Sequence, residues 1–207
     1  MTNKILIIIF SIFQLNSFGQ DDKSNELLKQ LSENTRSYSF MDVDFDFNFL
    51  NTSQEINENQ QGNIKISNNK FRLNLNEQII ISDDSTQWIY LKESNELQIM
   101  EFDSEDEMLS PNKLFTIYEN GYKSQYIELK DDDHIIDLFP LESSEFKNIQ
   151  LHINKEKIQI SKIILYDKNG GSFSYSITKF ITNTDFDENL FKFKVEEYPD
   201  LEIIDLR

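Results

Sequence analysis

Three aspartates at alternate positions are the first residues whose spacing is typical of chemistry. Asp42, Asp44 and Asp46 lie on one face of a predicted strand with successive carboxylates about 6.6 Å apart, and paired carboxylates can hydrolyse glycosidic bonds. Apolar residues such as Phe45 alternate with them. The aspartates are therefore interpreted as the solvated side of a half-buried strand, and not as an acid–base pair.

A second acidic run has the composition of a metal site but not its spacing. Residues 131–134 read Asp-Asp-Asp-His, lack the spacing of a calcium loop and fall where a turn is expected. His134 and His152 are the only histidines and cysteine is absent, which leaves little for zinc or a catalytic triad. No nucleophile-elbow, phosphate-binding or dinucleotide-binding motif occurs. The sequence predicts no enzyme, no metal site and no cofactor.

Charge and cysteine content exclude further classes of protein. The 207 residues carry 37 acidic and 20 basic side chains, a formal net charge of −17. Binding nucleic acid requires a basic face that releases counterions from the phosphates, so a nucleic-acid partner is excluded. Without cysteine the chain forms no disulfide and carries no lipid anchor on that residue.

The first twenty residues have the features of an export signal. Lys4 precedes an apolar run over residues 5–13, which is shorter than the roughly 20 residues that span a bilayer. Ser17 and Gly19 are small residues at positions −3 and −1 of a cleavage site. We expect residues 1–19 to be a signal peptide and residues 20–207 to form a single exported, soluble domain.

Apolar residues at alternate positions predict strands along most of the chain. The alternation is clearest at Val43, Phe45, Phe47 and Phe49, which predicts a half-buried antiparallel strand. About ten or eleven strands, mostly linked by hairpins and without parallel βαβ units, predict one curled antiparallel sheet. The other strands are expected at residues 56–67, 70–76, 78–82, 87–91, 96–101, 122–129, 135–139, 146–153, 157–166 and 172–182, and residues 191–204 hold two more short alternations.

Two segments have helical spacing instead. Three leucines, the first at Leu27, predict an amphipathic helix over residues 21–36. Ser110 followed by Pro111 is typical of an N-cap and first helical residue, and Gly121 is a helix-terminating residue. The apolar face of this second helix is formed by Leu114, Phe115, Ile117 and Tyr118.

Aromatic residues are the other unusual feature, with 17 Phe, 8 Tyr and 1 Trp. A curled sheet encloses its apolar face either around packed side chains or around a ligand cavity. Aromatic residues also dominate ordinary cores. Composition leaves both alternatives open.

Several motifs, in order along the chain, resemble those of one family. The stretch from Gly62 to Ile99 has a strand, a turn, an aromatic-Arg strand and a Trp-x-Tyr strand. It resembles outer-membrane lipoprotein carrier proteins, the LolA family, most closely the versions of Bacteroidetes-type bacteria. Further similar motifs are SPNKLF at 110–115, Gly121-Tyr122, DLFPLE at 137–142, YDKNG at 166–170 and EIIDLR at 202–207.

The resemblance implies both a fold and a function. Such proteins are mainly β with some α: an incomplete antiparallel β-barrel covered by short helices, without a cofactor. They are soluble periplasmic chaperones that accept triacylated lipoproteins from an inner-membrane ABC transporter, shield the acyl chains and pass them toward an outer-membrane acceptor. We expect the same of this chain, as a monomer. A carrier of free lipids and a ligand-free envelope interaction domain remain alternatives.

The expected site is an acyl-chain cavity under a lid. Proteobacterial members carry an arginine before the aromatic strand that ties the lid shut, but this chain has Ser67, Asn68 and Asn69 there. A family Asp-Gly turn is likewise replaced by Asp84-Ser85. Lid closure is therefore expected to rest mainly on apolar contacts. The cavity is predicted to consist of Phe45, Phe47, Phe49, Phe71, Leu73, Trp88 and Tyr90, and the lid of Leu114, Phe115 and Tyr118.

Overall fold

A computed structural model describes residues 17–102 and 113–207, with the side chains of 21–102 and 113–207. Within these ranges one α-helix, α1 (Ser17–Ser37), precedes twelve strands. None of the helices described there is long and apolar enough to span a membrane. The strands are β1 (Met41–Asn51), β2 (Ile56–Ser67), β3 (Lys70–Leu75), β4 (Gln78–Ser82), β5 (Thr86–Leu91), β6 (Glu96–Glu101), β7 (Tyr122–Lys130), β8 (Asp133–Pro140), β9 (Phe146–Asn154), β10 (Gln159–Asp167), β11 (Gly171–Thr182) and β12 (Glu202–Asp205).

All twelve strands belong to one open, curled sheet in the order β12-β6-β5-β4-β3-β2-β1-β11-β10-β9-β8-β7. The predicted fold class, a mainly β protein with a curled sheet and a helix against it, is confirmed. The strand count exceeds the expected ten or eleven because the C-terminal tail adds β12. This strand pairs with β6 in parallel, since the tail crosses the sheet before it joins the edge and does not return through a hairpin.

One face of the sheet, the inner face, holds the main hydrophobic core. Register places Val43 opposite Ile64, and Ile64 opposite Leu73, so these alternate side chains share that face. Helix α1 packs Leu27 and Leu31 into the same core. The predicted opening helix is present, and it covers the apolar side of the strands as its leucine spacing requires.

The opposite, outer face holds a second, smaller core over β4–β6. Residues 183–207, the C-terminal arm, cross this face and bring Phe193, Tyr198 and Leu201 against it. Two short 3-10 helices, Glu188–Phe191 and Val195–Glu197, form part of the arm. Strand β4 packs apolar side chains against both cores, which explains why it is apolar at consecutive positions.

The predicted second helix is seen only in part. Its expected start at Ser110 and Pro111 lies outside the described residues. Lys113–Phe115 form a single 3-10 turn. Thr116 N–H donates to the carbonyl of Lys113, and Glu119 N–H to that of Thr116, at 3.0 Å each. These bonds span three residues and so form tight turns, not a continuing α-helix.

Candidate functional site

Three of the seven predicted cavity residues form the buried floor of the inner face. Phe45, Phe71 and Leu73 are at most 9% exposed and belong to the main core. The Phe45 ring lies across Gly62 on the neighbouring strand, where an added Cβ would stand 2.4 Å from the Phe45 Cζ atom. A glycine at this position makes room for the ring.

Trp88 and Tyr90 lie on the outer face, and their assignment to the cavity was wrong. Register aligns Lys65 with Arg72, Arg72 with Ile81 and Ile81 with Trp88. Trp88 therefore shares its face with the polar side of β2 and β3, opposite to the side of Phe71. Tyr90 stacks edge-on against Tyr198 of the C-terminal arm, with ring centroids 4.5 Å apart.

An aromatic cluster extends from the floor toward one end of the inner face. It consists of Phe47 and Phe49 on β1 with Phe173 and Tyr175 on β11, all partly exposed. Phe49 stacks on Phe173 at 4.7 Å, and Phe47 lies 5.1 Å from the Tyr175 ring. The cluster offers an apolar surface to a ligand without unfolding the core.

The β11 half of the cluster was missed by the sequence analysis. Phe173, Tyr175 and Ile177 alternate with serines on β11, and β11 pairs directly with β1, so that Tyr175 faces Phe47. That alternation is as regular as the one on β1. It could have identified these residues once the pairing of the two strands was known.

Helix α1 is tied to the sheet by polar contacts in its first half and near its C-terminus. Ser24 Oγ lies 2.8 Å from Ser124 Oγ on β7, and both side chains are buried. Ser124 also donates to Asn25 at 3.0 Å. Near its C-terminus Asn34 donates to the carbonyl of Ile158 at 3.2 Å. Two separated attachments fix the helix against the β7–β10 part of the sheet.

Residues 113–121, the lid segment, hold the three predicted lid residues. Phe115 and Tyr118 are each 5% exposed, and Leu114 is partly buried against the same core. Phe115 packs edge-on against Phe180 of β11 at 5.9 Å. Burial raises the pKa of Tyr118 to about 12, so this phenol stays neutral at physiological pH.

Polar contacts also hold the lid segment, beyond the mainly apolar closure that was expected. Glu119 Oε2 accepts from Arg36 Nη2 at 2.8 Å, and Oε1 accepts from Ser32 Oγ at 2.6 Å. Tyr118 OH lies 3.4 Å from Thr35 Oγ1. Partial burial opposes ionisation of Glu119, but the hydrogen bonds from Arg36 and Ser32 outweigh it and lower its pKa. The lid segment is thus tied to α1 by a charge-assisted contact.

Most of the chain matches one known protein family. The family model of the outer membrane lipoprotein carrier protein LolA matches residues 36–194, which include strands β1–β11 and the lid segment. The chain belongs to the LolA family. The description of the LolA family names a carrier and not an enzyme.

Individual relatives of this LolA-family chain are distant. An outer-membrane lipoprotein carrier protein of Shewanella pealeana is 26% identical over 189 residues, covering 89% of this chain and 85% of that protein. A conserved, uncharacterized protein of Thermus thermophilus has a similar fold, with a TM-score of 0.59 and 13% identity over 88% of this chain and 99% of its own. The Mycobacterium tuberculosis lipoprotein LppX gives a TM-score of 0.46 and 10% identity, covering 81% and 100%.

Two surface clefts lie away from the inner face. One of about 610 Å³ lies beside Leu50 and Tyr166 on the outer side of β1 and β10. Another of about 480 Å³ lies between the C-terminal arm and Arg72 on β3. The buried floor of the inner face is instead covered by α1 and the lid segment, so a ligand reaches it only if a covering element moves.

The acidic runs take structural roles in this LolA-family chain. Asn63 donates to Asp42 at 2.7 Å and to Asp44 at 2.6 Å on the outer face. Asp132 pairs with Lys155, and Asp133 accepts from Ser161 at 2.6 Å. Among the residues that the structure describes, no three His, Cys, Asp or Glu side chains are arranged to hold a metal.

Proposed function

We propose that this protein is a periplasmic carrier that shields the acyl chains of lipoproteins on their way toward the outer membrane. The single observation that carries the proposal is the apolar inner face, which continues from a buried floor into a partly exposed aromatic cluster. Each methylene withdrawn from water contributes about 0.8 kcal/mol, so acyl chains cross an aqueous compartment only when they are shielded. Membership of a family described as lipoprotein carriers supports the same function.

In the proposed mechanism the lid segment moves and α1 stays in place. Helix α1 has separate polar attachments to the sheet at Ser24 and at Asn34. The lid segment is held through Phe115 on the sheet side and through Glu119 on the α1 side. Apolar contacts are non-directional, so acyl chains can replace Phe115 against the core. Once acyl chains take the place of Phe115 against the core, opening costs mainly the Glu119 contact.

Export and partners belong to the same proposal. Residues 1–19 act as a cleaved signal peptide, an inner-membrane ABC transporter supplies triacylated lipoproteins, and an outer-membrane acceptor receives them. The negative charge of the chain keeps a carrier with an apolar site soluble and away from anionic membrane surfaces.

Substitution of Phe47 by Glu tests the proposed site. Phe47 lies in the aromatic cluster, and a carboxylate there would have to be desolvated by a bound chain. We expect Phe47→Glu to weaken binding of a fluorescent acyl probe at least about ten-fold, while thermal unfolding stays cooperative.

Leu50→Glu is the matched control. Leu50 is on the same strand but on the outer face, where it is 39% exposed, so this variant should bind the probe as the wild type does. A folded Phe47→Glu protein with normal probe binding would show that the inner face is not the binding site. Absence of probe binding by the wild type would instead favour a ligand-free interaction domain.

A further inference from the structure

Five tyrosines pack against the core of the inner face, and they differ in whether their hydroxyls have partners. Tyr38 accepts from Gln159 at 2.9 Å, Tyr118 lies 3.4 Å from Thr35 Oγ1, and Tyr126 lies 3.2 Å from His134 Nδ1. The other two are Tyr122 and Tyr175, whose hydroxyls form no hydrogen bond within the described part of the chain.

Tyr175 is the more unusual of the two because of its surroundings. Its ring lies 5.8 Å from that of Phe45 and 5.1 Å from that of Phe47. Burial alone raises the pKa of its phenol, with no hydrogen bond or charge contributing. The side chain of Tyr175 is only partly buried, so its hydroxyl can be hydrated in the empty protein although it has no partner within the described part of the chain.

A phenylalanine at this position would make the same ring contacts with Phe45 and Phe47. Neighbouring positions on the same face are Phe47, Phe49 and Phe173. Packing alone therefore accounts for an aromatic ring at position 175 but not for its hydroxyl. The hydroxyl is available to a group that enters the aromatic cluster from outside the protein.

We propose that the Tyr175 hydroxyl donates a hydrogen bond to a carbonyl oxygen of the ester or amide groups that join acyl chains to the cargo. This inference rests on the proposed carrier function and adds a polar contact to it. Hydrocarbon chains supply no acceptor, whereas acyl linkages carry carbonyl oxygens next to the chains. The contact would position the carbonyl ends of the acyl chains at the aromatic cluster. It would also favour acyl cargo over alkyl lipids that lack a carbonyl group.

Paired lipids with and without carbonyl groups test the inference. The probes are an ester-linked diacylglycerol and the ether-linked dialkylglycerol with the same number of chain carbons, measured by displacement of a fluorescent fatty acid. A neutral hydrogen bond corresponds to roughly a three- to ten-fold preference for the ester lipid in the wild type. Tyr175→Phe should remove this preference while retaining binding of the ether lipid.

Tyr122→Phe is the control, because Tyr122 also has an unpartnered hydroxyl but lies on edge strand β7, outside the aromatic cluster. It should keep the preference for the ester lipid. Melting temperature provides a second measurement: Tyr175→Phe should unfold at the same temperature as the wild type or above it, since no hydrogen bond of the empty protein is lost.

Two results would overturn the inference, and they are separable from failure of the proposed function. If the wild type binds both lipids equally, or if Tyr175→Phe retains the ester preference, Tyr175 is not the donor although the carrier function stands. If the wild type binds neither lipid, the proposed function fails and this inference fails with it.

Discussion

Truncation of Phe115 should loosen the lid segment without unfolding the sheet. Phe115 is 5% exposed and packs edge-on against Phe180. Replacing a buried phenylalanine by alanine costs about 3–5 kcal/mol. If the lid segment opens on its own, most of this cost appears in its opening free energy. A loss of about 3 kcal/mol corresponds to roughly a hundred-fold rise in the open population.

Hydrogen exchange measures the opening of the lid segment separately from the opening of the sheet. Amides of residues 113–121 should exchange roughly a hundred times faster in Phe115→Ala, while amides of β8–β10 keep most of their protection. Phe191→Ala is the matched control, because Phe191 is 1% exposed but belongs to the C-terminal arm on the outer face. It should destabilise the protein without selectively exposing residues 113–121. Equal acceleration across lid and sheet in Phe115→Ala would refute an independently opening lid.

Three further predictions concern the lid contact, the floor and the outer face. The ionised form of Glu119 stabilises the closed lid, so its contribution is present at neutral pH and is lost as the pH falls from 4.5 through its lowered folded pKa. The difference in melting temperature between wild type and Glu119→Gln should therefore vanish at low pH. A difference that persists below that range would contradict this role of Glu119. Gly62→Ala should lower the free energy of unfolding, measured in urea, by about 1–3 kcal/mol through overpacking against Phe45. The same substitution should have a clearly smaller effect when it is made in the Phe45→Ala variant. Trp88 is the only tryptophan, so its emission should shift to the red when residues 184–207 are deleted, but stay unchanged when an acyl ligand binds the full chain.

The regular part of the fold could be predicted from alternation because most strands bury only one side. β1 illustrates this, since Phe45 and Phe47 alternate with aspartates and both lie on the inner face. Strands β4 and β5 are apolar at consecutive positions, so alternation does not identify which of their side chains face inward. Trp88 was therefore assigned to the wrong side, and only its pairing with Ile81 identifies the correct one.

The contacts that hold the lid segment closed could not be predicted, because they join residues far apart in the sequence. Glu119 meets Arg36 and Ser32 across more than eighty residues of sequence. The resemblance predicted only where a latch would be absent, and it gave no indication of the polar contact between α1 and the lid segment. The C-terminal arm was likewise recognised as short apolar alternations, whereas its path over the outer face depends on Phe193 and Tyr198 finding Tyr90.

Native mass spectrometry of the protein, purified under gentle conditions from the cells that produce it, tests the proposed carrier function most directly. We expect a fraction of molecules whose added mass is that of a triacylated lipoprotein. This fraction should be lost in Phe47→Glu but not in Leu50→Glu. Bound lipid without protein would indicate a free-lipid carrier. Wild-type protein that carries no acylated protein in a cell producing such lipoproteins would contradict the proposed carrier function.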